Sequence, residues 1–318
     1  MPEPSVSIVI AAWPDLAGLA DCLEALSGQR DSATECLVVA TFPAPAEWSA
    51  RFPWAVWNRA DSGCLIPHLW GLGMTRSRGD IFAITTAHFT PAADWIQSIR
   101  SAHARQPSWA IGGRIEPPRG RGPVSWAIYF LRYSSYLRYQ HEQTVPDVAG
   151  DNASYKRVAL AAYPGFLRDG FWEQELHRRL WAEGKAPVFD PAIRVTQRRA
   201  FGFWAFLRQR FQHGKQFGRT RAQRWKTLPR LAAGLVSPLI PVLFLGKILF
   251  RVARSGESIG PFVAALPALV CFLVAWSAGE GWGYLFAARP GRAQPRQPET
   301  DLLSTSQSPT SAEVPLCP

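Results

Sequence analysis

Val6-Ser7-Ile8-Val9-Ile10-Ala11-Ala12 is a short apolar run that is rich in β-branched residues. Trp13-Pro14 ends this run, and four leucines then follow at helical spacing, Leu16, Leu19, Leu23 and Leu26. A continuous apolar run bounded by proline is typical of a buried strand, and apolar residues three or four positions apart are typical of a helix. The stretch therefore predicts a β-strand followed by an α-helix.

The same alternation continues along the chain. Residues 36–40 and 81–84 form two more apolar runs, and residues 65–77 between them have a helical pattern. Strands that are apolar on both faces and alternate with helices indicate an α/β fold with a mainly parallel sheet covered by helices. In such sheets ligands bind beyond the carboxyl ends of the strands. The candidate site loops are therefore residues 11–14, 40–43 and 85–91.

Positive charge is concentrated in one segment. The formal net charge is +11, yet residues 1–197 hold nineteen basic and nineteen acidic side chains, and residues 198–230 hold ten Lys or Arg and no acid. A basic cluster beside apolar sequence is attracted to anionic lipid headgroups by about 1 kcal/mol per residue. The near-helical spacing of aromatic and basic residues from Phe203 to Phe217 favours an amphipathic helix at the membrane surface. Two alternatives stay open: stacking of the aromatic rings on nucleic-acid bases, and a solvated face.

Two apolar stretches follow the basic segment. They are residues 231–250, interrupted by Lys247, and residues 259–278, which carry no charge. Each approaches the roughly 20 residues that a helix needs to cross a bilayer. The short connector, residues 251–258, predicts a hairpin with both outer ends on the cytoplasmic side, where basic residues are enriched. Because Arg251 and Arg254 would then lie outside, a shallow interfacial pair is the alternative.

The rest of the composition completes the predicted organisation. The five cysteines are odd in number and show no CxxC pairing, which indicates a reducing cytoplasm and makes metal binding by thiols improbable. The Pro-, Ser-, Gln- and Thr-rich tail predicts disorder. The predicted parts are an α/β domain at 1–197, a basic interfacial segment at 198–230, two transmembrane helices at 231–286 and a disordered tail at 287–318.

Nine short segments stand in an informative order along the chain: Ser5–Ala12, Leu23–Gln29, Glu35–Val39, Gly79–Asp80, Pro91 with Trp95, Gly150–Arg157, Gly165–Phe166, Phe171–Glu173 and Gly279–Leu285. As a set they resemble the membrane-anchored bacterial members of the inverting family 2 glycosyltransferases, which have the GT-A fold. The resemblance implies a nucleotide-binding sheet flanked by helices, with an interfacial helix and a membrane hairpin at the C-terminal end. It also implies the bacterial inner membrane as the location, with the catalytic domain facing the cytoplasm.

The resemblance implies a donor site at the strand ends, formed by Ala11, Ala12, Trp13, Ala40, Thr86, Ala87 and His88. Members of the family hold Mg²⁺ or Mn²⁺ with an Asp-x-Asp after the third strand, because hard carboxylate oxygens suit these ions. The matching triplet here is Thr86-Ala87-His88, without a carboxylate. His88 could still coordinate Mn²⁺, or it could be a surface-loop histidine. Ala40 also stands where an acid that contacts the nucleotide is usual.

This sequence keeps the residue types that the resemblance implies at the acceptor site. Glu173 matches the catalytic base, and a desolvated carboxylate there can accept a proton from a sugar hydroxyl. The alternative is a helix-terminal acid stabilised by the macrodipole, by about 0.3–1 kcal/mol. Asp151, Asn152 and Trp172 are expected beside the acceptor, although Asp151-Asn152 could equally form an Asx turn. Glu175 and His177 on the same helix are expected to be solvated.

The function that follows from these observations is transfer of a sugar from a nucleotide sugar to a lipid-linked or cell-envelope acceptor, with inversion. The expected class is a hexosyltransferase. The expected partners are the donor, this acceptor and anionic membrane lipids, with no nucleic acid. Because both metal-binding carboxylates are absent, the alternative is a catalytically degenerate relative that acts as a binding or scaffolding partner at the membrane.

Overall fold

The structure, a computed structural model, describes residues 4–13, 16, 18–118, 120–168, 170–198, 202–222, 225–256 and 259–286. The predicted tail at 287–318 lies outside these residues. The described residues divide into two compact units, one formed by residues 4–120 with 135–198 and the other by residues 121–134 with 202–286. Arg121–Ser134 therefore belongs to the second unit, although it falls inside the predicted domain at 1–197.

The first unit contains a nine-stranded sheet. Its strands are β1 Val6–Ala12, β2 Thr34–Ala40, β3 Ala55–Arg59, β4 Ile81–Thr86, β5 Phe89–Pro91, β6 Ala110–Glu116, β7 Gln143–Thr144, β8 Ala153–Lys156 and β9 Val188–Gln197. The order across the sheet is β3-β2-β1-β4-β8-β6-β9-β5, and β7 also pairs with β9. The three strands predicted from the sequence correspond to β1, β2 and β4.

The sheet is mixed. β3, β2, β1 and β4 are parallel neighbours, as predicted. Beyond β4 the directions alternate, because β8 is antiparallel to both β4 and β6, and β9 is parallel to β6 but antiparallel to β5 and β7. The α/β architecture is thus confirmed, with a parallel half, β3-β2-β1-β4, and a mixed half.

Seven helices of the first unit cover the sheet: α1 Leu19–Ser27, α2 Ala46–Arg51, α3 Ile66–Arg76, α4 Trp95–Arg105, α6 Arg157–Ala161, α7 Gly165–Arg168 and α8 Glu173–Ala182. A short 3₁₀ turn, Gly150–Asn152, precedes β8. Helix α3 lies very close to the sheet, because a Cβ on Gly73 would overlap the side chain of Val9. A glycine is therefore needed where this helix crosses β1.

The second unit is helical in its described part. It contains α5 Pro123–Tyr133, α9 Phe203–Ala222, α10 Thr227–Val236, a 3₁₀ turn Ser237–Leu239, α11 Ile240–Ser255 and α12 Ile259–Leu285. Helices α10 and α11 form one apolar segment, Thr227–Ser255, and this segment and Ile259–Leu285 are both long and apolar enough to cross a membrane. In the apolar 18-residue windows of these two segments, 17% and 33% of the residues are buried. The two candidate membrane helices are confirmed, which by itself is weak support for membrane insertion.

Helices α9 and α12 pack closely through glycines. A Cβ on Gly214 or Gly218 of α9 would overlap the backbone oxygen of Trp276 or Glu280, and Cβ atoms on Gly279 and Gly283 of α12 would overlap backbone oxygens of α9. On each helix the two glycines are four residues apart, the small-xxx-small spacing that lets two helix backbones come together. The helix predicted to lie at the membrane surface is thus attached along its length to α12.

We expect Gly214→Ala to destabilise the helical unit by about 1–3 kcal/mol, because the added methyl group meets backbone that cannot rotate away. Thermal unfolding of the detergent-solubilised protein measures this effect. Gly246→Ala is the matched control, since a Cβ at Gly246 meets nothing within 4 Å. That variant should be as stable as the parent or slightly more stable. Equal unfolding temperatures for Gly214→Ala and Gly246→Ala would contradict the close packing.

A buried histidine makes the first unit sensitive to mild acid. His103 on α4 is buried and bonds Ser154 Oγ at 2.9 Å through Nε2. Burial, with a smaller contribution from Lys156, lowers the pKa of His103 from 6.5 to about 3. The unfolded chain therefore binds a proton between these pH values that the folded chain does not bind. Stability is lost as the pH falls below about 6.5.

Between pH 7 and pH 5 we expect His103 to reduce the free energy of unfolding by about 2 kcal/mol. Urea unfolding at the two pH values measures this loss. His103→Gln should remove it, whereas His141→Gln, at an exposed position, should retain it. A His103→Gln protein that loses as much stability as the parent between pH 7 and pH 5 would show that another group is responsible.

Candidate functional site

The carboxyl end of β4 is joined directly to the turn at Gly150–Asn152. Thr85 Oγ1 donates to the carbonyl oxygen of Asp151 at 2.8 Å, and Thr86 Oγ1 donates to Asp151 Oδ1 at 3.3 Å. These contacts follow from the topology, because β8, which begins directly after the turn, is the antiparallel neighbour of β4. A predicted donor-site residue, Thr86, and a predicted acceptor-site residue, Asp151, thus lie side by side although 65 positions separate them.

Glu173 reaches the same turn from α8. A Cβ on Gly150 would lie 3.0 Å from Cδ and Oε1 of Glu173 and 3.0 Å from Cη2 of Trp70. The missing side chain at Gly150 therefore lets the carboxyl group and the indole ring both contact the turn. A hydrogen bond holds the Trp70 ring in place, because its Nε1 donates to the carbonyl oxygen of Thr85 at 2.8 Å. The end of β4, the turn and Glu173 form one cluster, which we call the strand-end site.

Trp172 precedes Glu173 and is 45% exposed. Its ring packs edge-on against His68, with 6.0 Å between the ring centroids. Glu173 itself is half-buried, in the first turn of α8, where the helix dipole favours a carboxylate. An exposed indole beside a half-buried carboxylate is an arrangement that can stack on a sugar ring and accept a proton from one of its hydroxyls.

Four residues, Tyr136, Asp147, Tyr155 and His177, form a hydrogen-bond chain in which Tyr155 and His177 are buried and Tyr136 and Asp147 are half-buried. Tyr155 Oη and His177 Nε2 are 2.9 Å apart, His177 Nδ1 and Asp147 Oδ1 are 2.6 Å apart, and Tyr136 Oη donates to Asp147 Oδ2 at 2.9 Å. The expectation that His177 is solvated is wrong, since the residue is 0% exposed. Its two ring nitrogens are satisfied by residues from elsewhere in the chain, which offsets the cost of burying them.

The two tyrosines of this hydrogen-bond chain, Tyr136 and Tyr155, have pKa values raised by burial and by nearby carboxyl groups. Burial raises the pKa of Tyr136 well above 10, and Asp147, Glu173 and Asp151 raise it further. Burial likewise raises the pKa of Tyr155, again with help from Glu173 and Asp147. Both phenols therefore stay protonated, and three carboxyl groups act on one region. The sequence did not single out Asp147, Tyr136 or Tyr155, although Asp147 stands only four positions before Asp151.

The buried side chain of Asn152 holds the Gly150–Asn152 turn in place through three hydrogen bonds. Its side chain accepts a hydrogen bond from Trp95 Nε1 at 2.8 Å and donates to the carbonyl oxygens of Arg114 and Ile193, both at 3.0 Å. The residue is 0% exposed. Its amide is thus fully engaged with the protein, and in this structure Asn152 anchors the turn that carries Asp151.

The other residues of the predicted donor site are mostly buried. Ala11, Ala12, Ala40 and Ala87 are fully buried and form the floor beneath the strand ends. Trp13 is half-buried and packs against the apolar core. Thr86 and His88 are only 1% and 3% exposed. A ligand can touch Thr86 or His88 only after a neighbouring segment moves.

His88 is a poor basis for a metal site in this structure. It lies in the turn between β4 and β5, and the expectation of a surface-loop histidine is wrong, because β5 pairs with β9 and buries the turn. No group of three or more His, Cys, Asp or Glu among the described residues could hold a metal ion. Among the described residues, Asp151 places a carboxylate oxygen beside Thr86. The donor set therefore does not fit a dedicated Mg²⁺ or Mn²⁺ site.

Arg198 places a positive charge beside the 86–88 turn, where no metal site is formed by the described residues. The backbone N–H of Arg198 donates to the carbonyl oxygen of His88 at 2.9 Å, which places Arg198 directly against the 86–88 turn. Its side chain is exposed and forms no ion pair with the described residues. From the sequence, Arg198 is expected only as part of the basic segment at 198–230. Its pairing with the turn depends on β9, a strand that the sequence pattern did not predict.

Comparison with solved structures supports the fold. The chain superposes on the mannosyltransferase PcManGT from Pyrobaculum calidifontis, solved in complex with GDP-Man and Mn²⁺, with a TM-score of 0.53 and 17% identity over 89% of this chain and 88% of that one. It also matches GalNAc-T7, solved with UDP, GalNAc and Mn²⁺, with a TM-score of 0.47 and 13% identity over 62% of this chain and 44% of that one. No protein-family profile matches the chain. No curated protein sequence matches it either. At these identities the likeness to the mannosyltransferase shows the fold, and the predicted GT-A type is confirmed.

Proposed function

We propose that this chain is an inverting glycosyltransferase that moves a sugar from a nucleotide sugar to a hydroxyl group of a lipid-linked or cell-envelope acceptor. The observation that carries the proposal is the strand-end site. In a GT-A fold, the end of β4, Asp151 and the Glu173 carboxylate meet where such sheets bind nucleotides. The mannosyltransferase of similar fold was solved with GDP-Man. GDP- and UDP-linked hexoses are therefore the first donors to test.

In the proposed reaction Glu173 is the general base. As the acceptor hydroxyl oxygen attacks the anomeric carbon of the donor sugar, its proton passes to the Glu173 carboxylate. The bond between that carbon and the leaving oxygen of the nucleoside diphosphate breaks in the same step, on the opposite face of the ring. The configuration at the anomeric carbon inverts, and the electron pair leaves with the diphosphate. A positioned base of this kind contributes about 10²–10⁴-fold to the rate.

Residues in and around the strand-end site have supporting roles in the proposed reaction. The exposed ring of Trp172 packs on the acceptor sugar. Asp151, which is 7% exposed, accepts a hydrogen bond from one of the sugar's hydroxyls after a neighbouring segment moves. The chain from Tyr155 through His177 to Asp147 holds α8 in the orientation that directs Glu173 toward Gly150. Arg198, beside the 86–88 turn, offsets part of the charge of the departing diphosphate. No step is assigned to a metal, because the donor set does not fit one.

The proposed location is the bacterial inner membrane, with the site facing the cytoplasm. The two candidate membrane helices and the ten basic residues of 198–230 support membrane attachment. Attachment to the surface that carries a lipid-linked acceptor raises the effective concentration of both reactants.

A second candidate function is a catalytically degenerate GT-A protein that acts as a binding or scaffolding partner at the membrane. Two observations favour it: Thr86 and His88 are almost inaccessible, and the 86–88 triplet lacks carboxylates.

Purified full-length protein in nanodiscs, given a panel of GDP- and UDP-hexoses with a membrane lipid extract, separates the two functions. Release of nucleoside diphosphate together with a labelled lipid product is the result expected of the transferase. Parallel reactions with Mn²⁺ and with EDTA test whether turnover needs a metal. A protein that turns over no donor in either condition, with every nucleotide of the panel tried, would favour the partner function.

A further inference from the structure

A surface pocket of the first unit includes Trp172, but its other walls are residues without a role in the proposed reaction. Its volume is about 420 Å³, and it lies between residues 162–166, Gly170 and one face of α8. Trp172, Glu175 and Arg179 line that face, because residues three and four positions apart project from the same side of a helix. The volume is within the range of about 300–1,000 Å³ in which proteins bind small molecules.

Aromatic rings make up much of the walls. Tyr163 and Phe166 pack edge to face, with 6.1 Å between the ring centroids and 88° between the ring planes. A hydrogen bond from Tyr163 Oη to the Glu183 carboxylate holds the first of these rings. Trp172 adds a third ring, which is 45% exposed. Among the described residues that line the pocket, none is Leu, Ile, Val or Met, so a hydrocarbon chain would bury little aliphatic surface there.

Arg179 brings hydrogen-bond donors to the pocket. Its guanidinium carbon lies 5.2 Å from the ring centroid of Tyr163 and 5.9 Å from that of Phe166. Within the part of the chain that the structure describes, Arg179 forms no ion pair and no side-chain hydrogen bond. A guanidinium that packs on aromatic rings keeps its N–H groups, which lie in its own plane, available to oxygen atoms of a ligand.

The charges of the pocket are balanced. Glu175 contributes one negative charge and Arg179 one positive charge, and no other charged side chain among the described residues lines the pocket. An anionic ligand or a cationic ligand would therefore meet a like charge, which opposes binding. A neutral ligand that carries hydroxyl groups meets no such repulsion, and its oxygens can accept hydrogen bonds from the guanidinium.

The position of the pocket indicates which neutral ligand it suits. Trp172 forms part of the pocket and directly precedes Glu173, whose carboxyl group contacts the turn at Gly150. A sugar ring has faces of C–H groups and an edge of hydroxyls, so it can pack against aromatic side chains while its hydroxyls bond to polar ones. A saccharide with one residue beside Glu173 and Trp172 can place its next residue in the pocket.

We propose that the pocket binds a neutral sugar of the acceptor, namely the residue linked to the one that reacts. This sugar lies between Trp172 and Phe166, and its hydroxyl oxygens accept hydrogen bonds from Arg179. The acceptor is then a saccharide chain of at least two residues and not a bare lipid phosphate. The proposal rests on the proposed function for the ligand's role as acceptor, whereas the binding itself can be measured without sugar transfer.

A ligand-observed NMR titration of the full-length protein in phosphatidylcholine nanodiscs, with no donor added, tests the proposal. The probes are neutral disaccharides of glucose, mannose, galactose and N-acetylglucosamine in each available linkage, together with the methyl glycosides of the single sugars. We expect at least one disaccharide to bind about tenfold more tightly than the corresponding methyl glycoside, because only the disaccharide reaches the pocket.

Gly165→Phe places a side chain in the pocket without a clash, since a Cβ at Gly165 meets nothing within 4 Å. We expect this variant to bind the disaccharide no more tightly than the methyl glycoside. Gly28→Phe is the matched control, because Gly28 is exposed, equally open and outside the pocket, and it should keep disaccharide affinity within about twofold. Arg179→Gln should weaken disaccharide binding about fivefold and leave the methyl glycoside within about twofold.

Three results would overturn the proposal. The first is a panel in which no disaccharide binds more tightly than its methyl glycoside. The second is a loss in Gly28→Phe as large as that in Gly165→Phe. The third is a disaccharide of glucuronic acid that binds about tenfold more tightly than every neutral one, which would identify a site for acidic sugars.

The binding titration and the turnover assay fail independently of each other. Disaccharide binding that Gly165→Phe removes, in a protein that turns over no donor, would support the pocket and contradict only the transferase. Turnover of a donor by a protein that shows no preference for disaccharides would contradict only the pocket.

Discussion

Glu173→Gln is expected to lower kcat for sugar transfer by about 10²–10⁴-fold while donor affinity stays within about twofold. Glutamine has nearly the same shape as glutamate and can keep the contact with the turn at Gly150, but it cannot accept the acceptor's proton. The loss should therefore appear in turnover and leave donor binding intact. Steady-state kinetics with the donor identified in the screen, together with donor titration of both proteins, measure the two effects.

Glu175→Gln is the control for this variant. Glu175 lies two residues further along the same helix and is exposed. It shares the charge and the helix dipole of Glu173 without contacting the turn, so its replacement should change kcat less than about threefold. If both variants lose activity equally, the helix terminus and not the base is responsible. Full activity in Glu173→Gln would remove Glu173 from the mechanism.

Asn152→Leu is expected to destabilise the first unit by about 3 kcal/mol or more. Three buried polar groups lose their partner, namely Trp95 Nε1 and the carbonyl oxygens of Arg114 and Ile193. Each such group costs about 1–3 kcal/mol when it is left unsatisfied. Urea unfolding at pH 7 measures the change in the free energy of unfolding. Gln143→Leu, an exposed amide in β7, should change it by less than about 0.5 kcal/mol.

The stability of Asn152→Leu also distinguishes two roles of Asn152, anchoring the turn and contacting the acceptor. If the amide anchors the turn, the variant loses stability even in the absence of any ligand. If the protein retains its stability but loses acceptor affinity, Asn152 faces the acceptor, as the family resemblance implies, and the hydrogen bonds to Arg114 and Ile193 are not maintained in solution.

The parallel half of the sheet could be predicted because its signals are local. The apolar runs at β1, β2 and β4 and the helices between them can be identified within windows of a dozen residues. The resemblance placed Thr86 in the donor site and Asp151 beside the acceptor. The contact between the two residues depends on β8, an antiparallel strand that the sequence pattern did not predict.

What the sequence did not reveal depends on partners far apart in the chain. His177 is buried because Asp147 and Tyr155 satisfy it, at separations of 30 and 22 positions. His88 is buried because β5 pairs with β9, more than 100 positions later. Helical or strand periodicity carries no information on such pairs. For His177 a local signal did exist, since it neighbours Leu176 and precedes Leu180, both on the buried face of α8.

The division into two units could have been suspected from one feature. Residues 123–133 are apolar on nearly every side, PVSWAIYFLRY, which is unusual for a helix on the surface of an α/β domain. The structure explains it, because Phe130 packs against Phe262 of α12, with 5.3 Å between the ring centroids. The glycine pairs of α9 and α12 were also visible as spacing, but only the structure shows that they face each other.

The proposed function requires that the strand-end site bind a nucleotide sugar. Photolabelling with an azido-nucleotide analogue of the donor, followed by mass spectrometry of the digested protein, tests it most directly. We expect labelled peptides from residues 85–91 or 150–152 of the strand-end site, or from the loops at 11–14 and 40–43 that follow the neighbouring strands, with labelling suppressed by excess unmodified donor. Labelling that the donor does not suppress, or that falls only in the helical unit, would contradict it.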